Sequence, residues 1–316
     1  MNIRLKNCLP LLLLSFFFIS SLFAQNKQPA RLKLGYSIAV GGITAEKMRY
    51  AHEVGISYIE VTLGELTDTL RNIKLSDAET VAKVKQAKQW ATDNGIQIWS
   101  VHMPYDKNID LSLSDENERQ QVVALQKKVL AYCKILQPKI ILFHPSWYLS
   151  LNERELHKTQ LIKSATELNA VVKSLGATMV IENMLGPELM ANAKYERPLC
   201  RTVEETAEIM NRLPKDVYSA IDMNHIREPE KLITAMGSRL KSVHISDGTG
   251  LKEDHFFPCS GQGKNNWVKI LAALNDAGYT GPFMYECGGV KDLKYLPTCY
   301  NGMYNDYLTS LGIKAQ

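Results

Sequence analysis

The sequence predicts an α/β fold of the closed (β/α)8 type, a TIM barrel, and three observations predict it. Short apolar segments alternate with longer amphipathic ones along most of the 316 residues. The apolar segments are nearly continuous, as strands are when helices cover one face and side chains fill the other. Polar residues gather at the C-terminal end of strand after strand, the face on which such barrels carry their active sites. A doubly wound open sheet is the competing architecture, but no GxGxxG follows the first strand.

Taken in order, the strands are KLGYSI (33–38), SYIEVT (57–62), IQIWSVH (96–102), KIILFH (139–144), TMVIEN (178–183), VYSAIDM (217–223), LKSVHIS (240–246) and GPFMYE (281–286). Helical periodicity marks 45–55, 76–95, 153–176, 202–214 and 265–278 between them. Thr44, Ser76 and Thr202 suit helix starts because their hydroxyls accept from unsatisfied backbone N–H groups. Gly55, Gly95, Gly176 and Gly278 suit helix ends, where a left-handed residue closes the last turn. The aromatic stretch 293–312 predicts a C-terminal helical extension that caps the barrel or pairs with a second copy in a homo-oligomer.

The first 24 residues read as a secretory signal peptide. Arg4 and Lys6 precede an apolar run from Leu9 to Phe23, too short for a confident membrane span, and Ala24 offers a small residue before polar sequence. The expected mature chain is one domain, 25–316, secreted or periplasmic, with no membrane span after cleavage. The net charge of +4 includes two signal residues, and no basic blocks alternate with aromatics, which argues against a nucleic-acid partner. Of six cysteines one lies in the signal, and no CxxC pair occurs. An oxidising compartment permits a disulfide, but spacing does not say which cysteines pair.

The strand-end polar residues are Glu60, His102, His144, Glu182, Asp222, His225, His244 and Glu286. Each alone has a bland reading: a carboxylate at a strand edge, or a histidine packed under loops. Together, a closed barrel brings them to one mouth. Glu182, Asp222, His244 and Glu286 make a mixed oxygen and nitrogen shell suited to one divalent ion, manganese, zinc, cobalt or magnesium. Such an ion polarises a carbonyl and stabilises the oxyanion formed when a neighbouring C–H loses its proton, and carboxylates across the mouth supply acid and base. Asp222 and His225 fall on opposite faces of a regular strand, so the strand must end near Met223 for both to reach the site. His102 and His144 are further ligands or substrate contacts. Trp99, Trp147 and Trp267 are candidates for a wall against a sugar, with Trp147 the best placed and Trp99 more suited to core. Lys264 and Arg201 are isolated, so no phosphate site is evident.

The order of VHMPYD, FHPS, VIEN, AIDMNH, VHISD, DH followed by GQG, and MYE resembles the xylose-isomerase-like barrels, the sugar phosphate isomerase/epimerase and AP-endonuclease family 2 superfamily, over about residues 32–290. The resemblance implies a metal held by Glu182, Asp222, His244 and Glu286, with Glu182 and Glu286 also moving the proton through an enediolate. It places His225 against substrate oxygens, Asp247 behind the ligands, and Asp254 and His255 in a substrate-shaping loop. The endonuclease branch holds three zincs with an aspartate and a histidine two residues apart in that loop. Here Asp254 and His255 are adjacent, which argues against a third metal.

The expected function is an extracytoplasmic, metal-dependent isomerase or epimerase acting on a small-molecule carbohydrate. The alternatives are a metal-dependent lyase or hydrolase of 3-keto-sugars or glycosides, and a carbohydrate-binding barrel without turnover. His102, His144, Trp147, His225, Asp254 and His255 are the expected substrate contacts.

Overall fold

The computed structural model describes residues 28–314, so the signal-like segment 1–24 lies outside the described residues. The barrel strands are β1 (Leu34–Ala39), β2 (Ile56–Thr62), β3 (Gln97–His102), β4 (Ile140–Phe143), β6 (Thr178–Glu182), β8 (Val217–Asp222), β9 (Leu240–Ile245) and β10 (Phe283–Tyr285). Every neighbouring pair is parallel, and pairing of Leu34 with Phe283 closes the ring. Two further short strands, β5 (Leu149–Ser150) and β7 (Tyr195–Glu196), pair antiparallel outside the barrel.

Around it run α1 (Ala45–Glu53), α2 (Asp77–Asp93), α3 (Glu116–Leu136), α4 (Arg154–Ser174), α5 (Val203–Arg212), α6 (Pro229–Met236), α7 (Trp267–Asp276) and α8 (Tyr295–Ser310). Thr44, Ser76 and Thr202 cap α1, α2 and α5, and Ser76 with Glu79 forms a full capping box. The four glycines at helix ends all have positive φ. Helices α3 and α6 were not among the segments marked by periodicity. α6 has only eight residues, with Pro229 in its first turn.

Period-two alternation divides the strand side chains. Ile141, Phe143, Val217 and Ile221 belong to the large core between strands and helices, while Ile140, Leu142, Val180 and Ala220 form a separate cluster inside the barrel. His144 follows the inward side of β4, Glu182 that of β6 and Asp222 that of β8. The inward row that fills the barrel below thus becomes the row of functional groups at its mouth. Helix α8 buries Leu296, Tyr300, Met303 and Tyr304. Tyr300 packs on Phe283 of β10 with ring centroids 4.9 Å apart, so this face meets the chain's own barrel.

A candidate metal centre at the barrel mouth

Asp222 and His244 are register partners on β8 and β9. Glu182 ends β6, and Glu286 follows β10, its N–H donating to the Ile245 carbonyl. One ligand atom from each of the four lies within 4.8 Å of the other three. Nδ1 of His244 is the hub, 2.8 Å from Glu182 Oε1 and 2.5 Å from Glu286 Oε2. Asp222 Oδ1 accepts from the Asn224 N–H (2.6 Å) and the Ser246 hydroxyl (2.8 Å). Its other oxygen, Oδ2, is buried without a hydrogen-bond partner. A buried, unsatisfied carboxylate oxygen facing a histidine nitrogen and two more carboxylates is costly unless a cation sits among them. The donor set fits a divalent ion of the manganese, zinc, cobalt or magnesium kind, three carboxylates and one imidazole.

Behind the cluster, Glu60 on β2 is fully buried and stands 2.8 Å from His244 Nε2. Its carboxylate also accepts from Ser100 (2.7 Å) and Ser37 (3.4 Å). Glu60 thus faces one ring nitrogen of His244 while the two glutamates face the other. Asn183 locks the strand ends together: its Oδ1 accepts from Asp222 N–H (2.8 Å), and its own carbonyl meets His225 Nδ1 (2.9 Å).

Around His244, burial opposes the positive charge, but Glu286, Glu60 and Glu182 outweigh it and raise its pKa well above the ordinary value. Glu286 is pushed the other way by burial, yet His244 holds it down to about 2. His244 and the two glutamates thus favour each other's charged forms.

The strand β8 ends at Asp222, and the following turn carries His225 back over the mouth, 3.8 Å from Asp222 Oδ2. On the opposite margin, His102 and His144 bring their Nε2 atoms within 3.0 Å of each other, and His144 Nε2 is 3.0 Å from Glu182 Oε2. His255 reaches within 3.7 Å of Asp222 Oδ2.

Asp254, expected beside substrate, is instead turned to Thr249, accepting from its hydroxyl (3.0 Å) and N–H (3.3 Å). Glu253 faces the site, its Oε2 2.9 Å from His225 Nε2 and 3.0 Å from His255 Nε2. The acid two residues before His255 is thus a glutamate, so the spacing argument against a further ion does not hold. Asp247 lies behind the ligands, holding the loop by accepting from Gly248, Asn265 and the Trp267 indole, which removes Trp267 from the mouth. Arg201 is tied to the Pro187 carbonyl and Glu205.

The mouth opens into a cavity of about 320 Å³ lined by His102, His144, His225, Glu253, His255 and Glu286, with Tyr105, Trp147 and Tyr148 on one wall. Tyr105 packs on His144 at 3.8 Å between ring centroids, and Trp147 follows at 5.1 Å. That is a small polar site with an aromatic side, dimensions that suit one sugar ring.

Residues 48–297 match the family described as xylose isomerase-like TIM barrel. The chain belongs to that family. An uncharacterized protein of Methanocaldococcus jannaschii is 26% identical over 182 residues, 56% of this chain and 67% of that one. Among solved structures, a D-tagatose 3-epimerase-like protein superposes with a TM-score of 0.68 at 18% identity, over 86% of this chain and 99% of the other. The 3-keto-D-glucoside 4-epimerase of E. coli gives 0.63 at 17%, over 89% and 99%. A D-psicose 3-epimerase crystallised with D-fructose gives 0.63 at 18%, over 90% and 100%. At these identities the structures establish a shared barrel.

Proposed function

We propose that the protein is a divalent-metal-dependent sugar epimerase or isomerase that works through an enediolate. The observation that carries this reading is the convergence of Glu182 and Glu286 on His244 Nδ1 beside the unsatisfied oxygen of Asp222. When bound, the ion supplies Lewis acidity toward a carbonyl and its neighbouring hydroxyl. Glu182 and Glu286 approach the cluster from β6 and from the end of β10, so a sugar carbon held between them meets a carboxylate on each face. One takes the proton from carbon, and the other returns one to the opposite face. Glu286 is the more exposed of the two and Glu182 is held by His144 as well as His244; after each turnover both regain their starting protonation by proton exchange with solvent at the mouth. His225, locked by Asn183 and Glu253, presents its ring to a substrate oxygen. Tyr105 and Trp147 cover the apolar face of the sugar and exclude water. The epimerase names borne by the structural neighbours agree with this reading.

A second reading, hydrolysis or elimination on a 3-keto-sugar or glycoside, is favoured by Glu253. With it, the sets His102–His144–Glu182 and Asp222–His225–His255 flank the central ligands and would hold further ions. Incubation in deuterium oxide with a ketose panel and a keto-glycoside panel separates the two. Metal-dependent deuterium uptake at carbon without a released aglycone supports epimerisation; release of aglycone supports the second reading.

The partner is a small-molecule carbohydrate. No nucleic-acid role is proposed, and no helix among the described residues is long and apolar enough to cross a membrane. Export is part of the proposal: the disulfide Cys259–Cys299 suits an oxidising compartment.

A further inference from the structure

Beside the catalytic cavity lies a second one of about 410 Å³, and the two share a wall made by Trp147 and Tyr148. The rest of its lining comes from Lys107 and from the β7 hairpin, with Asn192, Tyr195 and Arg197. No carboxylate lines it. Among the described residues neither Lys107 nor Arg197 makes an ion pair, although most of the arginines described do. The guanidinium Nε of Arg197 is buried and has no hydrogen-bond partner.

Arg197 is placed there by the backbone. Its stem crosses Gly186, where a Cβ would lie 2.3 Å from Arg197 Cδ and 2.5 Å from Nε, and where φ is +117°. A side chain at 186 is excluded on both counts. The two residues before Gly186, Met184 and Leu185, line the catalytic cavity, so the same segment serves both cavities. The shared wall is fixed as well: the Trp147 N–H donates to buried Asp110 (2.8 Å), and Ser146 accepts from the Leu199 N–H (2.7 Å). Tyr148 and Tyr195 are 38% and 48% exposed, large rings left uncovered, the first just before β5 and the second on β7, the strands that pair at this rim.

Exposed aromatic faces bordered by hydrogen-bonding groups suit a sugar ring, and two cations without ion-pair partners, in a lining free of carboxylates, suit an anion on it. We propose that this cavity is a second saccharide subsite, which binds an acidic sugar unit, a uronate or a sulfated sugar, joined to the unit that enters the catalytic cavity. The inference rests on the sugar-epimerase reading and names its substrate class: an acidic glycoside or oligosaccharide rather than a free neutral ketose. Arg197 grips the carboxylate or sulfate, Lys107 adds charge at the rim, and the Trp147–Tyr148 wall spans the linkage.

The test is binding, read by calorimetry on the full mature protein with its metal in place. The probes are methyl glucuronide, a sulfated galactose, neutral methyl glucoside and inorganic sulfate. Either acidic sugar should bind about ten-fold or more tighter than the neutral one, and which of the two wins tells uronate from sulfate ester. Arg197→Gln should abolish the preference, and Lys107→Gln, on an exposed side chain, should weaken it without affecting folding. Metal content should be unchanged in both. Equal binding of acidic and neutral sugars, a preference that survives both substitutions, or inorganic sulfate binding as well as the sulfated sugar would overturn the proposal. Because the readout needs no turnover, loss of the subsite with normal metal content leaves the epimerase reading standing, and loss of metal with the preference intact does the reverse.

Discussion

His244 shows how a single side chain acquires its role from its neighbours. Its Nε2 faces Glu60 and its Nδ1 faces Glu182 and Glu286, so one nitrogen is committed to structure and the other to the cation. Glu60→Gln keeps the size of the side chain but removes its charge, and metal affinity should fall about 10–100-fold with the fold retained. Competition with a chelator, alongside circular dichroism, checks this; unchanged affinity would show that Glu60 is only a buried partner of Ser100. Glu286→Gln should lower turnover by about 10²–10⁴-fold with little change in stability, and retained activity would remove it from the reaction. Ligand candidates were legible because each is a polar residue at the end of an apolar run. Glu60 carried the same signal in YIEVT, yet its partner is the second nitrogen of a histidine on a distant strand, which no local pattern reveals. Glu253 was missed because Asp254 and His255 make a tempting pair, whereas the loop turns Asp254 to Thr249 and Glu253 to the histidines.

Among the elements, the strand ends matter more than the strand interiors. β8 stops at Asp222, and that one-residue limit is what lets His225 share the site with it. The strands and five helices were readable from period and caps. α6 was not marked, because eight residues give too few turns for a period to show. β5 and β7 are two residues each and exist through tertiary pairing alone. The disulfide also needed the fold: Cys259 in the loop after β9 and Cys299 on α8 are 40 residues apart in sequence but 5.8 Å apart at Cα. It staples the substrate-side loop to α8. Cys299→Ser should cost about 2–4 kcal/mol, visible as a lower melting temperature, and reducing agent should lower the wild-type value to match. A melting temperature unaffected by either would mean the bridge does not form. At the start of α2, Ser76→Ala should cost about 1 kcal/mol, since it removes one half of a reciprocal cap; urea unfolding measures it.

At the scale of the whole molecule, barrel closure makes one site from residues scattered between Glu60 and Glu286. The same closure explains why the fold was legible: eight strands of similar length, each followed by helix, admit few other arrangements. What the barrel leaves open is the mouth, where loops decide which ligand enters and how many ions are held. Every role given to the mouth depends on Glu182, Asp222, His244 and Glu286 holding a divalent ion. Elemental analysis by inductively coupled plasma mass spectrometry of protein purified without added metal or chelator tests this. About one manganese, cobalt, zinc or magnesium ion per chain is expected. No bound metal, even after soaking in each of these ions in turn, would contradict it.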